Sequence, residues 1–226
     1  MNILTFDTSL DKTYVTLSCS GSLLECEVIE NHNEKYHSAF LIPAIVSILK
    51  KHNMSMQNID AIGTNVGPGS FTGIRACVTV ARVIAQQLNV PLVGVSSLEI
   101  LSKINKSDKN TILVLDARKS QYYTAVYSAD GDELQPPKLT MAEDVLSLDF
   151  SNAVVIADET SAGYLKENSI DAEIYTQLNE NLGIFLNKIV EQKLKNSQKD
   201  EFLWAKLKPL YLQAPPVTIS AKSHVG

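Results

Sequence analysis

The stretches ILTFD at residues 3–7 and ILVLD at residues 112–116 share one pattern, a short apolar strand that ends in aspartate. A tyrosine follows each aspartate after seven residues, Tyr14 in the first case and Tyr123 in the second, and a glycine-containing turn comes seven or eight residues later. The two units lie 109 residues apart (116 minus 7). Self-similarity at a fixed separation is typical of duplicated architectures. We therefore predict an internal duplication; the alternative is a chance similarity of two hairpins.

Strands alternate with helices around these two units, which predicts an α/β fold with mostly parallel central strands. A polar segment at 103–110 separates the two copies, and the second copy is abridged. We therefore expect two domains, at 1–104 and 105–202. The predicted strands are 3–8, 13–19, 23–29, 59–66, 91–95, 112–116 and 153–157, and the predicted helices are 38–52, 74–88, 161–168 and 179–195, with a further short helix that begins at Ser97.

The composition is that of an ordinary soluble protein, with 45% hydrophobic and 20% charged residues in a chain of 226. These values exclude a disordered or fibrous chain. The net charge of −5 gives no basic footprint of the kind that a nucleic-acid-binding protein usually carries. The three cysteines lack metal-type spacing, which favours buried reduced thiols, and neither a secretory signal nor a membrane span is recognisable. We expect a cytoplasmic protein that does not contact membranes.

The glycine-rich loop at 67–73 lies between a predicted strand and a predicted helix, where backbone amides can hold an anion. Its spacing matches neither a Walker A loop nor a dinucleotide-binding fingerprint. Two interpretations remain open. The loop binds a phosphate, or it is a structural turn that lets the helix pack closely on the sheet.

Asp7 and Asp116 each end a strand, so in a duplicated fold they could face one cleft and hold Mg²⁺ or orient a water molecule. Alternatively, each carboxylate accepts hydrogen bonds from the backbone of its own turn. His37 has Leu41 four residues later, so this helix offers no paired-histidine metal site, and no other catalytic constellation is recognisable. The residues assigned to a candidate nucleotide or phosphate cleft are Asp7, Thr8, Gly67, Gly69, Ser70, Gly73 and Asp116.

The two predicted helices of the first half are apolar over about twice the width of a one-sided stripe. A helix that lies on a sheet needs only one apolar face, so the remaining apolar surface is covered by more of the same chain or by a partner. We favour a partner. The residues assigned to this interface are Leu41, Ile45, Ile48, Leu49, Ile74, Arg75, Val78 and Arg82.

Several of these stretches together resemble the bacterial TsaB (YeaZ) family. They are residues 3–9, the loop GPGSFTGIR at 67–75, residues 95–98, and residues 116–119 with Tyr123. The resemblance covers about the whole chain, and the nine-residue loop is its specific element. It implies a duplicated actin-like (ASKHA, ribonuclease-H-like) fold in which the C-terminal segment, about 203–226, returns to the first domain.

The resemblance also implies a function. Members of this family are non-catalytic scaffold subunits that bind the catalytic subunit TsaD through their first two helices and form homodimers when alone. With the ATPase TsaE, the assembly transfers threonylcarbamoyl from its adenylate to the adenosine next to the anticodon of ANN-decoding tRNAs. The subunit itself then needs no cofactor and contacts tRNA only indirectly, since ATP and Mg²⁺ are used by its partners.

One position departs from the family pattern, because Gln213 stands where an arginine usually follows the Pro-x-Tyr-Leu motif. An arginine at this position therefore cannot take part in the assembly of this chain. The competing hypothesis is an active actin-like ATPase or small-molecule kinase that uses Asp7, Asp116 and the loop from Gly67 to Gly73.

Overall fold

The computed structural model describes residues 1–30, 38–196 and 199–213, which form two five-stranded sheets with helices packed on them. The strands are β1 (Asn2–Asp7), β2 (Thr13–Cys19), β3 (Ser22–Ile29), β4 (Ala61–Gly67), β5 (Leu92–Ser96), β6 (Asn110–Asp116), β7 (Gln121–Tyr127), β8 (Glu133–Met141), β9 (Ala153–Ala157) and β10 (Glu173–Ile174). The first sheet has the order β3-β2-β1-β4-β5 and the second β8-β7-β6-β9-β10.

Six α-helices connect or follow these strands in the described residues. They are α1 (Ser38–Lys51), α2 (Phe71–Leu88), α3 (Ser97–Ser102), α4 (Ala142–Val145), α5 (Glu159–Glu167) and α6 (Leu182–Asn196). Helix α2 begins three residues before its predicted start because Ser70 is its N-cap, with the side-chain oxygen accepting a hydrogen bond from the Gly73 amide. None of these helices combines the length and the apolarity needed to cross a membrane.

The two sheets repeat one topology, which confirms the predicted duplication. In each, the first strand pairs antiparallel with the second and the second with the third, while the fourth strand returns parallel to the first and the fifth parallel to the fourth. The second copy is shorter mainly at its fifth strand, since β10 has only two residues. The abridged duplication expected from the sequence is therefore the architecture of the chain.

The two aspartates are not equivalent within this duplication. Phe6 packs toward α1 and α2, and Val114 packs toward α5, so these two residues lie on corresponding faces of their sheets. Side chains alternate between the faces of a strand. Asp7 therefore points away from the helices that Phe6 contacts, whereas Asp116 points to the same face as Val114. The turn between the strands differs by one residue, since Asp7 pairs with Tyr14 but Asp116 pairs with Tyr122.

Helix α6 (Leu182–Asn196) belongs by sequence to the predicted second domain, 105–202, and it packs on the first sheet. The helix lies on the first sheet, so closely that a side chain at Gly63 of β4 would meet Val190, and one at Gly183 would meet Tyr14. Leu182, Leu186, Ile189 and Val190 share one buried cluster with residues of both sheets. Burial of this apolar face, rather than position in the sequence, decides where the helix packs.

The three cysteines are free thiols in the structure. Cys77 is buried, as expected, whereas Cys19 and Cys26 are partly exposed, so the expectation that all three are buried is wrong for two of them. Burial raises the pKa of the Cys77 thiol to about 12, which keeps this side chain protonated and unreactive at neutral pH.

Candidate functional site

Asp7 lies at the end of β1 and is buried. Its Oδ1 accepts hydrogen bonds from the backbone N–H of Ser9 at 2.7 Å and from the Ser9 hydroxyl at 2.6 Å, and its Oδ2 accepts one from Asn65 Nδ2 at 3.0 Å. Asn65 is fixed in turn, because its Oδ1 accepts from the Gly67 amide and from the Ser97 hydroxyl. Burial raises the pKa of the Asp7 carboxyl above its usual value, although these hydrogen bonds oppose the shift.

The glycine-rich loop approaches the turn that follows Asp7. A Cβ at Gly73 would lie 1.9 Å from the Thr8 carbonyl oxygen, and one at Gly69 would lie 2.5 Å from the Ser9 carbonyl oxygen. The Thr8 hydroxyl donates to the Gly73 carbonyl at 2.9 Å, and the Ser70 amide donates to the Ser9 carbonyl at 2.8 Å. Two of these glycines are therefore explained by close contact with the chain itself.

Asp116 belongs to a different turn. Its side chain accepts from the Arg118 amide at 2.8 Å, and its own amide donates to Asp158 at 2.7 Å. Arg118, Lys119 and Ser120 all adopt positive φ angles, of 66°, 54° and 55°. The structure thus gathers six of the seven proposed cleft residues around the end of β1 and places Asp116 in a turn of the second sheet. The hypothesis that the two carboxylates face one cleft has no support in their contacts.

Asp7 is buried and its carboxylate accepts three hydrogen bonds from the fold, while Gly69 and Gly73 of the loop contact the turn after β1 closely. In the described part of the chain, no group of three or more His, Cys, Asp or Glu side chains could hold a metal ion. His37, the histidine considered in the sequence, lies outside the described residues.

Asp7→Ala is expected to lower the free energy of unfolding by about 1–3 kcal/mol, because three buried donors would lose their acceptor. Urea denaturation followed by circular dichroism measures this change. Asp116→Ala, which removes the acceptor of one backbone amide, is the matched control, with an expected loss within about 1 kcal/mol. ATP hydrolysis that is measurable in the wild type and disappears in Asp7→Ala would instead support the kinase or ATPase hypothesis.

Most of the residues assigned to the partner interface are buried in the described structure. Leu41, Ile45, Ile48 and Leu49 are buried against the first sheet, within the cluster that contains Phe6. On α2, Ile74 and Val78 are also buried, because Leu207 and Leu210 cover them. Of the eight assigned residues, only Arg75 and Arg82 are accessible enough to meet a partner.

Other apolar residues of the same helices are exposed and were not among the eight residues assigned to the interface. Ile42 and Val46 on α1 are 50% and 57% exposed, and Phe71 and Val83 on α2 are 48% and 53% exposed. We call these four residues the outer apolar face. The sequence shows these residues as a second apolar stripe on each helix. The pattern alone does not indicate which of the two stripes faces the sheet.

A groove of about 460 Å³ runs along α2 beside this face. The guanidinium of Arg75 lies 3.8 Å from the centre of the Phe71 ring, and its Nε donates to the Tyr211 hydroxyl at 3.1 Å. The guanidinium of Arg82 lies 6.0 Å from the centre of the Trp204 ring. We call this site the arginine groove; its lining residues are Arg75, Val78, Thr79, Arg82, Val83, Gln86, Trp204, Pro209 and Tyr211.

The C-terminal residues 203–213 connect the two halves. The Leu210 amide donates to the Val66 carbonyl of β4 at 2.8 Å. Gln213, the position that departs from the family pattern, donates from Nε2 to the Ala117 carbonyl at 2.8 Å and to Gln121 Oε1 at 3.0 Å. A glutamine therefore ties this segment to the β6–β7 turn without a charged side chain.

Comparison with known proteins places these features in a family. Residues 27–199, more than half of the chain, match the family model described as tRNA N6-adenosine threonylcarbamoyltransferase (TsaD). The protein TsaB of Bacillus subtilis is 33% identical over 152 residues, which cover 66% of this chain and 66% of that protein. TsaB of Escherichia coli is 31% identical over 136 residues, which cover 58% of this chain and 56% of that protein. The matched region thus spans less than two thirds of these relatives.

Among solved structures, YeaZ from Pseudomonas aeruginosa superposes with a TM-score of 0.76 at 22% identity, covering 93% of this chain and 99% of that chain. This similarity, together with the repeated sheet topology, establishes the duplicated actin-like fold. The chain therefore belongs to the tRNA N6-adenosine threonylcarbamoyltransferase (TsaD) family and resembles its TsaB and YeaZ members.

Proposed function

We propose that this chain is a non-catalytic subunit in the biosynthesis of tRNA threonylcarbamoyladenosine, which binds and activates a catalytic TsaD subunit through α1 and α2. The names of the TsaB relatives support the pathway. The observation that carries the scaffold role is the outer apolar face, where Ile42, Val46 and Val83 are each at least half exposed. Exposed apolar patches of this kind typically mark interaction sites.

The environment of Asp7 supports a non-catalytic role. Asp7 is buried, and hydrogen bonds from Ser9 and Asn65 hold its carboxylate within the fold. We propose that ATP and Mg²⁺ are used by the partner subunits TsaD and TsaE, in the cytoplasm, and that tRNA is contacted through the assembly. When TsaD is absent, the same outer apolar face supports a homodimer.

Val46→Glu and Val83→Glu are expected to weaken association with TsaD of the same organism by about tenfold or more, because a charge would be buried in the interface. Size-exclusion chromatography with light scattering, on the protein alone and mixed with TsaD, measures both the homodimer and the heteromer. Each substitution replaces an exposed side chain, so the fold is expected to persist.

Leu134→Glu is the matched control, because Leu134 is 53% exposed on β8 of the second sheet, away from α1 and α2. This variant should associate like the wild type. If Val46→Glu and Val83→Glu also bind TsaD with wild-type affinity, the outer apolar face is not the binding surface and the scaffold proposal loses its structural basis.

A further inference from the structure

The arginine groove carries two positive charges that no carboxylate of the described chain neutralises. In residues 1–30, 38–196 and 199–213, the ion pairs involve lysines and His52, and neither Arg75 nor Arg82 has an acidic partner. The chain as a whole carries an excess of acidic residues, 25 against 20 basic ones. Two unpaired arginines in one groove are therefore not a consequence of a shortage of carboxylates.

Both guanidinium groups lie near aromatic rings rather than near carboxylates, and Arg75 makes the closer contact. Arg75 lies over Phe71 and donates from Nε to Tyr211, and Arg82 lies near Trp204. A guanidinium positioned by a ring retains N–H donors in a rigid fork that matches a carboxylate. The groove therefore presents two prearranged carboxylate-binding groups.

The spacing of the two arginines defines what they can bind. They are seven residues apart on α2, which is about 10 Å along the helix axis. Two acidic side chains seven residues apart on a partner helix have the same separation. Val83 in the groove and Phe71 beside it add exposed apolar surface, and arginine with aromatic residues is the composition typical of protein interfaces.

We propose that the arginine groove binds an acidic segment of a partner protein, with one carboxylate at Arg75 and a second at Arg82. The identity of that partner as TsaD rests on the proposed function, whereas the carboxylate preference rests on the groove alone. A protein segment is favoured over RNA because the net charge of −5 and the apolar surroundings do not form an extended phosphate-binding surface.

The first test uses Trp204, the single tryptophan of the chain, as a reporter inside the groove. Octaglutamate added at low salt is expected to change the Trp204 fluorescence saturably, and Arg82→Gln should weaken this response by about tenfold. Lys188→Gln, which removes one exposed charge on α6, is the matched control and should respond like the wild type. An absent response, or an equal response in Arg82→Gln, would overturn the proposal. A stronger response to octaadenylate than to octaglutamate would overturn it in favour of nucleic acid.

The second test separates this inference from the proposed function. The double variant Arg75→Gln with Arg82→Gln is expected to bind TsaD about tenfold more weakly and with a smaller salt dependence than the wild type, measured by calorimetry at several NaCl concentrations. If the wild type does not bind TsaD but responds to octaglutamate, the proposed function fails and the groove inference stands. If TsaD binds both proteins equally while Val46→Glu, which lies on α1 outside the groove, abolishes binding, the inference fails and the proposed function stands.

Discussion

Gly73→Ala is expected to destabilise the protein by about 3–5 kcal/mol, a large share of the stability of a typical domain. The added Cβ would lie 1.9 Å from the Thr8 carbonyl oxygen and 2.7 Å from the Thr8 carbonyl carbon. These are backbone atoms of the turn after β1, so they cannot move aside as the end of a flexible side chain could. Separating the loop from this turn would also break the hydrogen bond from the Thr8 hydroxyl to the Gly73 carbonyl.

Gly163→Ala is the matched control, because nothing lies within 4 Å of the position that its Cβ would occupy. Gly163 lies inside α5, where alanine is the better helix former, so we expect a gain of about 0.5–1 kcal/mol. Urea denaturation of both variants, followed by circular dichroism, measures the contrast. If Gly73→Ala is as stable as the wild type, the loop does not pack against Thr8 as described. Phosphate binding would then be the better explanation of the glycine-rich loop.

The glycine-rich loop shows where a local pattern stops being informative. Its position between a strand and a helix is compatible with both a phosphate site and a packing turn. The sequence cannot separate the two, because the atoms that Gly73 meets belong to Thr8, which is 65 residues away. Only the tertiary contact identifies what the missing side chain makes room for.

The fold itself was largely predictable, because it depends on alternation and repetition. Strands 13–19 and 153–157 have the predicted bounds, and the duplication deduced from two pentapeptides is present in both sheets. That Asp7 and Asp116 lie on different faces of their sheets was not predictable from their spacing. In both copies the tyrosine follows the aspartate after seven residues. The β6–β7 turn is one residue shorter than the β1–β2 turn, however, so Asp116 pairs with Tyr122 rather than with Tyr123. A shift of one residue moves a side chain to the opposite face of the sheet.

For helices α1 and α2, the sequence likewise does not determine which apolar residues are exposed. An excess of apolar residues on α1 and α2 was evident, and the exposed part of that excess exists. However, the sequence does not indicate which apolar stripe faces the sheet, and on α2 the residues that cover Ile74 and Val78 come from the distant C-terminal segment. The two helices therefore carry exposed apolar residues, but six of the eight side chains assigned to the interface are buried in the described structure.

We expect opposite effects on stability from Ile45→Glu and Val46→Glu, which place the same charged side chain at neighbouring positions of α1. Ile45 is 1% exposed inside the cluster between α1 and the first sheet, whereas Val46 is 57% exposed. Ile45→Glu would lose the packing of a buried isoleucine and bury a carboxylate without a partner, which together cost about 4–5 kcal/mol or more. Val46→Glu should change the free energy of unfolding by only about 0.5 kcal/mol.

Urea denaturation measures the stability of each variant, and size-exclusion chromatography with light scattering measures its association with TsaD. Ile45→Glu should be unstable or unfolded, so that any loss of association follows from loss of the fold, whereas Val46→Glu should be stable and lose association only. If Ile45→Glu is stable and Val46→Glu is not, the orientation of α1 on the sheet is the reverse of the one described. In that case, Leu41, Ile48 and Leu49 would again be the residues that meet a partner, and the outer apolar face would belong to the core.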